Sequence, residues 1–410
     1  MSAPSPEVRA AVEAAYREEW GQVVATLIGF TGDWDLAEDS AQEAFASALT
    51  TWARDGVPRN PGAWLTIAAR NRATDRIRRD AVGATKLRDL AVRQPVHDAD
   101  ADADDIPDER LRLIFTCCHP ALPLPARVAL TLRTLAGLTT AEIARALLSA
   151  ETTTGQRLSR AKRKIQDAGI PYRVPPAELL PERLAAVLAV LYLIFNEGYG
   201  EADQRALTVE AIRLARVLTT LMPAEAEPRG LLALMLLHES RRATRLRDGE
   251  LVTLEHQDRS RWDGALIDEG VRVLAGARAL RRPGPYQLQA AIAACHATAP
   301  SAAATDWARI AGLYADLSEL TASPVVELNR AVAVAMADGI TTGLALVDAL
   351  AAAGSLDGYH LLPATRADLL RRAGRDAEAR ASYEQALALA PSDAERRYLA
   401  KRLDELAPEN

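Results

Sequence analysis

The sequence predicts an all-α protein, and three observations carry that expectation. Ala, Leu and Arg, among the strongest helix formers, are abundant along the chain. No stretch alternates Val, Ile or Thr with polar residues at the period of two that marks a half-buried strand. Apolar helical segments are instead divided by short Gly- and Pro-containing breaks. At 410 residues the chain exceeds a single core, so two to four domains are expected. Hydrophobic residues at 49% and charged residues at 25% argue against wholesale disorder.

Taken in order, residues 8–80 form a first helical domain of three or four helices, broken near 29–33 and 55–61. Residues 81–107 contain the run HDADADADDIPDE and lack apolar periodicity, the composition of a flexible acidic linker. Residues 108–170 are helical again, with breaks at 119–125 and near 137–138. A Pro-punctuated join (Gly169-Ile170-Pro171, Val174-Pro175-Pro176) leads into a helical extension spanning 177–407.

Charge is distributed unevenly. Arg70 to Arg88 holds seven Lys/Arg against two Asp, and Arg157 to Arg173 holds six against one, within a chain of net charge -6. Two basic islands in an acidic chain are the footprint of nucleic-acid contact. Three cysteines, two of them adjacent, make no disulfide framework and fit a reducing cytoplasm. No secretory signal is visible. The longest apolar run, Leu184–Phe195, has about 12 residues where a spanning helix needs about 20, so a buried helix and no membrane span is expected.

Cys117-Cys118-His119 has no second Cys/His pair nearby, and buried structural cysteines are expected rather than a metal site. Cys295-His296 is isolated in the same way. No Gly-rich phosphate loop or paired-carboxylate motif stands out, so neither catalytic residues nor a cofactor is expected.

The first informative constellation is Asp35-Leu-Ala-Glu-Asp39-Ser-Ala-Gln42-Glu43-Ala-Phe45-Ala-Ser-Ala-Leu49. Leu36, Phe45 and Leu49 can share a buried stripe, leaving Asp39, Gln42 and Glu43 on another face at helical spacing. A Pro-Gly loop then feeds a helix that begins apolar and ends basic: Arg59-Asn60-Pro61-Gly62-Ala-Trp64-Leu65 through Arg70-Asn71-Arg72-Ala-Thr-Asp75-Arg76-Ile-Arg78-Arg79. The pair resembles the sigma-2 domain of extracytoplasmic-function (ECF) RNA polymerase sigma factors. That resemblance implies that Asp39, Gln42 and Glu43 bind the β′ clamp helices of core RNA polymerase. It also implies that Arg59, Asn60, Arg70, Asn71, Arg72, Asp75, Arg76 and Arg79 engage the promoter -10 element as single strand. Cationic side chains neutralise phosphates and Asn pairs with base edges, as such a role requires.

The second constellation runs from Leu138-Thr139-Thr140 through Ile143, Ala144 and Leu147, then Glu151-Thr152-Thr153-Thr154-Gly155-Gln156-Arg157-Leu158 to Ile165. A capped short helix, a three-residue break and a basic helix with Leu158 and Ile165 inward describe a helix-turn-helix. It resembles the sigma-4 domain, which implies -35 recognition by Thr152, Thr153, Gln156, Arg157 and Arg160, with Lys162 and Lys164 on the backbone, and docking on the polymerase β flap. Leu148 in the turn, Thr154 at a core position and Gly155 inside the helix depart from the pattern.

The extension resembles tetratricopeptide arrays at its end. Gly374 falls at an inter-helix turn, with Ala379, Tyr383 and Ala386 on a packing face and Pro391 as a stop; Gly339 marks a similar turn one period earlier. The whole chain resembles the ECF subgroup bearing such an extension, which implies regulation in cis or a protein partner on it. The clusters Asn196/Glu197, Glu239/Arg241/Arg242 and Asp258/Arg259/Arg261 read either as inter-helix salt bridges or as a ligand site. The rival reading of the chain is a stand-alone helix-turn-helix regulator with a tetratricopeptide-like sensing domain, which has no need of the Asp39/Gln42/Glu43 face.

Overall fold

A computed structural model describes residues 5–85, 109–147, 149–200, 205–247, 250–390 and 393–406. Among them are nineteen α-helices and one two-stranded hairpin, as an all-α reading of the sequence expects. The chain divides into two compact units, residues 1–221 and 222–410.

The first unit opens with α1 (Pro6–Thr31), α2 (Trp34–Asp55) and α3 (Pro61–Thr85), which pack on one another. Each start has a polar cap. Ser5 Oγ accepts from the Val8 amide, Asp33 Oδ1 from those of Asp35 and Leu36, and Asn60 Oδ1 from that of Ala63. α1 stops at Gly32, whose φ of 68° is the left-handed cap conformation. The buried face of α2 is made of Trp34, Phe45 and Trp52 set among Ala37, Ala41, Ala44 and Ala48. Leu36 and Leu49, expected in that stripe, are only half-buried.

α3 runs to Thr85, beyond the expected domain end at 80, and the rest of the acidic linker lies outside the described residues apart from that overlap. The second group is α4 (Glu109–Cys117), α5 (Leu124–Thr134), α6 (Thr140–Ala146) and α7 (Glu151–Asp167). Thr139 caps α6 in a reciprocal pairing with Glu142: Thr139 Oγ1 accepts from the Glu142 amide and Glu142 Oε2 from the Thr139 amide. Four residues, not three, separate α6 from α7, and Leu148 among them lies outside the described residues. Leu158 and Ile165 face inward as expected; Thr154 is also buried, its hydroxyl 2.8 Å from Ser149 Oγ, so the odd core residue is satisfied. Cys117 and Cys118 are buried, each beside a threonine hydroxyl, and Cys295 is half-buried. Burial pushes the Cys118 thiol up to about 11, which makes it an inert packing group.

The first unit continues through α8 (Leu180–Gly200) and α9 (Arg205–Leu221), so it takes in two helices of the segment expected as the extension. α8 packs on α4 and α5. Arg183 Nη2 donates to the Phe115 carbonyl at 2.8 Å, and Arg213 Nη2 to that of Leu135 at 3.0 Å.

The second unit is an array of packed helices: α10 (Ala226–Glu239), the short α11 (Arg242–Arg245), α12 (Gly264–Ala279), α13 (Pro285–Thr298), α14 (Trp307–Thr321), α15 (Pro324–Asp338), α16 (Ile340–Ala353), α17 (Leu361–Arg372), α18 (Asp376–Leu389) and α19 (Asp393–Glu405). A hairpin of two-residue strands, β1 (Leu246–Arg247) and β2 (Glu250–Leu251), interrupts it between α11 and α12. Gly374 makes the α17–α18 turn with φ 73°, and Ala379, Tyr383 and Ala386 are buried on the α18 packing face. Pro391 lies outside the described residues. Gly339 makes the α15–α16 turn at φ 107°, and the small residues beyond it let the two helices touch: a Cβ on Gly343 would come within 2.3 Å of Ala335 Cβ.

Candidate nucleic-acid interface

α2 and α3 lie side by side, and between them is an open cleft of about 560 Å³. Its walls are Ser47 and Thr51 from α2, with Trp64, Ile67, Asn71 and Asp75 among those from α3. Trp64 packs edge-on against the buried Trp52, ring centroids 5.6 Å apart, which fixes the apolar floor. Ile67, on the wall of this cleft, is 62% exposed. Asn71, Asp75, Arg70, Arg76 and Arg79 are exposed, and Arg72 is half-exposed. Arg70 lies over the Phe30 ring, 4.5 Å from its centroid. Arg59 and Asn60 are exposed at the head of α3, where the Asn60 side chain is the helix cap.

Asp39, Gln42 and Glu43 are all exposed on α2. The fold also joins this acidic face to the basic helix. Arg72 Nε stands 3.5 Å from Glu43 Oε2, and Arg76 Nη1 lies 3.7 Å from Asp39 Oδ2 and 3.9 Å from Glu43 Oε1. Two surfaces that the sequence treats as separate therefore share one ion-pair network.

α7 presents Thr152, Thr153, Gln156, Arg160 and Lys164 to solvent, with Arg157 half-buried. Lys162 differs. Its side chain is 14% exposed, with Nζ 2.7 Å from Asp35 Oδ1 and 2.9 Å from Glu38 Oε1. Expected on the DNA backbone, Lys162 is instead held by α2 in this arrangement. Burial disfavours its charge, but Glu38 and Asp35 outweigh that and its pKa lies above the ordinary lysine value.

The same contact involves residues that the motifs do not single out. Arg133 Nε donates to Glu38 Oε2 at 2.9 Å. Trp20 Nε1 donates to the Arg133 carbonyl, and Tyr16 Oη to that of Gly137 at 2.7 Å. Tyr16, Trp20 and Phe45 form an aromatic cluster with centroids 4.9–5.9 Å apart, and the turn at Leu135–Leu138 sits on it. Burial drives the Tyr16 hydroxyl pKa up to about 12, with Arg133 opposing. Tyr172 Oη adds a bond to the Ala25 carbonyl at 2.8 Å. Glu38 sits at the border between the alanine face of α2 and its exposed acids, so its position along the helix does not single it out.

Three matches bear on this geometry. Residues 15–82 match the family model described as sigma-70 region 2, which takes in α2 and the described basic turns of α3. Residues 112–165 match sigma-70, region 4, which takes in the helix-turn-helix. The chain belongs to the ECF-type sigma factors. The remainder of this sigma factor includes a match over 183–278 to a family of unknown function, DUF6596. Along nearly its full length it is similar to "Uncharacterized protein R00370" of Rhizobium meliloti, 43% identical over 399 residues that cover 95% of this chain and 94% of that one. It is also 29% identical over 174 residues to "Probable ECF RNA polymerase sigma factor SigI" of Mycobacterium tuberculosis, covering 41% of this chain and 58% of that protein. Against the crystal structure of yeast Tom70 the TM-score is 0.37 at 11% identity, covering 97% of this chain and 84% of that one, a likeness too slight to bear on function.

Among the described residues, no helix of this sigma factor is long and apolar enough to cross a membrane.

Proposed function

We propose that this sigma factor binds core RNA polymerase through Asp39, Gln42 and Glu43 and serves as its promoter-specificity subunit in the cytoplasm, with no active site of its own. α3 then holds the -10 element and α7 the -35 element, with the β flap as the second polymerase contact. The α2–α3 cleft carries this reading. It sets an apolar floor and the amide of Asn71 beside Arg72 and the remaining basic turns, the combination that captures an unstacked base and its phosphate.

The ion-pair network suggests how the two engagements are coupled. A basic partner helix on Asp39 and Glu43 competes with Arg72 and Arg76 for the same carboxylates, which frees both arginines for phosphate. Polymerase docking would thereby prime the DNA surface. The Lys162–Glu38 contact holds α7 against α2 in the free chain, and reading two separated promoter elements requires that it open. α8 and α9 brace the sigma-4 helices through Arg183 and Arg213, which supports regulation in cis by the extension, with a protein partner on its later helix pairs.

Two chains test this, one ending at Leu221 and one at Tyr172, each assayed by transcription with core polymerase. Unchanged promoter-dependent transcription from both would refute a regulatory extension. Failure of the full-length chain to co-elute with core polymerase would refute the sigma reading.

A further inference from the structure

The connection between α10 and α12 in the second unit carries two guanidinium groups, Arg241 and Arg259, that no carboxylate among the described residues pairs with. Arg241 donates from Nη2 to Nδ1 of His238 at 2.9 Å. Arg259 stacks over Trp262, 4.6 Å from the ring centroid, and donates from Nη1 to the carbonyls of His296 and Ala299. Among the described residues neither arginine lies within ion-pair distance of an Asp or Glu. Arg372 and Arg402 are different, being committed to Glu255 and Asp368 and to Glu405 respectively. Among the described residues, Nε and Nη2 of Arg259 and Nε and Nη1 of Arg241 have no protein acceptor, although a guanidinium offers five N–H donors.

The neighbourhood is positive as well as underpaired. Burial pulls His296 down to about 4, with Arg241 and Arg259 pushing the same way. Burial also takes His238 well below the ordinary histidine range, again with Arg241 adding to the effect. Arg259 in turn is lowered by burial and by Arg241. Both histidines are therefore neutral near pH 7, and the two arginines repel one another across a partly desolvated space.

Two clefts of about 480 and 330 Å³ share Thr253, Leu254 and Tyr398 in their walls. Arg259 and His296 line the larger and Arg241 the smaller. Trp307, Met336 and Leu369 give the larger cleft an apolar side. Both volumes fall in the range of small-molecule sites, which pair a mostly apolar lining with a few directed polar groups.

We propose that this is a receptor for a small organic anion: a carboxylate or phosphoryl group held by Arg259 and Arg241, on an apolar or aromatic body seated in the larger cleft. An anion there turns guanidinium repulsion into charge-assisted hydrogen bonds. The inference is independent of polymerase binding and gives the extension a chemical input.

Calorimetric titration of the full-length protein with phenyl phosphate, benzoate and neutral benzyl alcohol, at constant ionic strength in low chloride, tests it. Saturable one-site binding of at least one anion, absent for benzyl alcohol, is expected; which anion binds distinguishes phosphoryl from carboxylate recognition. Arg241→Gln and Arg259→Met should each weaken binding at least tenfold. Arg375→Gln, an exposed residue outside the cavity, should leave it unchanged. Unfolding of the Arg259 variant, seen by circular dichroism, would leave the decision to Arg241→Gln. No saturation by either anion, equal binding of benzyl alcohol, or wild-type affinity in a folded Arg241 variant would overturn the proposal.

Discussion

Lys162 Nζ, on the helix expected to face the -35 element, stands 2.9 Å from Oε1 of Glu38, a carboxylate buried on the sigma-2 domain. Glu38 also accepts from Arg133 at 2.9 Å, so one buried anion joins two cations of the sigma-4 region. Removing one member of a buried ionic cluster costs about 3–5 kcal/mol because it strands the others. Glu38→Gln is therefore expected to lower the melting temperature and to speed amide exchange in α7 while its own helix stays folded. Slow exchange in α7 of that variant would mean that the contact contributes little.

The pH response of this contact follows from the sign of the shift. Lys162 is raised above 10.5 in the folded chain, so its contribution is full below that value and is lost as pH rises through the folded pKa. Exchange in α7 should be insensitive to the Lys162 ionisation between about pH 7 and 9, once intrinsic exchange rates are divided out, and should rise only as pH passes 10.5 and approaches the folded pKa.

Gly137 offers a second handle. Its φ of 74° disfavours any side chain, and a Cβ would lie 2.9 Å from Tyr16 and 3.0 Å from Trp20. Gly137→Ala should destabilise the first unit by about 1–3 kcal/mol, measured by denaturant unfolding followed at the tryptophans.

Gly155 is the opposite case. It sits inside α7 and a Cβ would make only a 3.9 Å contact with Thr140 Cγ2. Gly155→Ala should stabilise the first unit by up to about 1 kcal/mol, read as a higher melting temperature.

Much of the interface was legible because its signals are local. The helical spacing of Asp39, Gln42 and Glu43, and the shift from apolar to basic along α3, both follow from sequence neighbours. The capping box at Thr139 and Glu142 is equally local. The Lys162–Asp35 contact joins residues 127 positions apart and Arg133–Glu38 joins residues 95 apart, so no periodicity reveals either. Leu36 and Leu49 looked like core because they are large and apolar, but the buried face of α2 falls instead on Trp34, Phe45, Trp52 and the alanines between them. The proline-rich join after Gly169 marked a break between helices without saying which way the next helices pack, and α8 packs back on α4 and α5. In the extension, salt bridging forms locally between Glu239 and Arg242, while Arg241 and Arg259 take neutral acceptors instead.

On the DNA side, Asn71→Ala and Arg72→Ala act on one cleft in different ways. Loss of the amide should cost about 1–3 kcal/mol of discrimination at one -10 position. Loss of the guanidinium should weaken binding to all sequences alike and lower the salt dependence by about one phosphate contact. Titrations of a polymerase–sigma complex with -10 variants, at several salt concentrations, separate the two.

The most direct measurement is transcription in vitro from genomic fragments by purified core polymerase with and without this chain. The account predicts discrete start sites that depend on the chain, and their loss when Asp39, Gln42 and Glu43 are replaced by alanine. No chain-dependent start site on any fragment, or start sites unchanged in that triple variant, would contradict it.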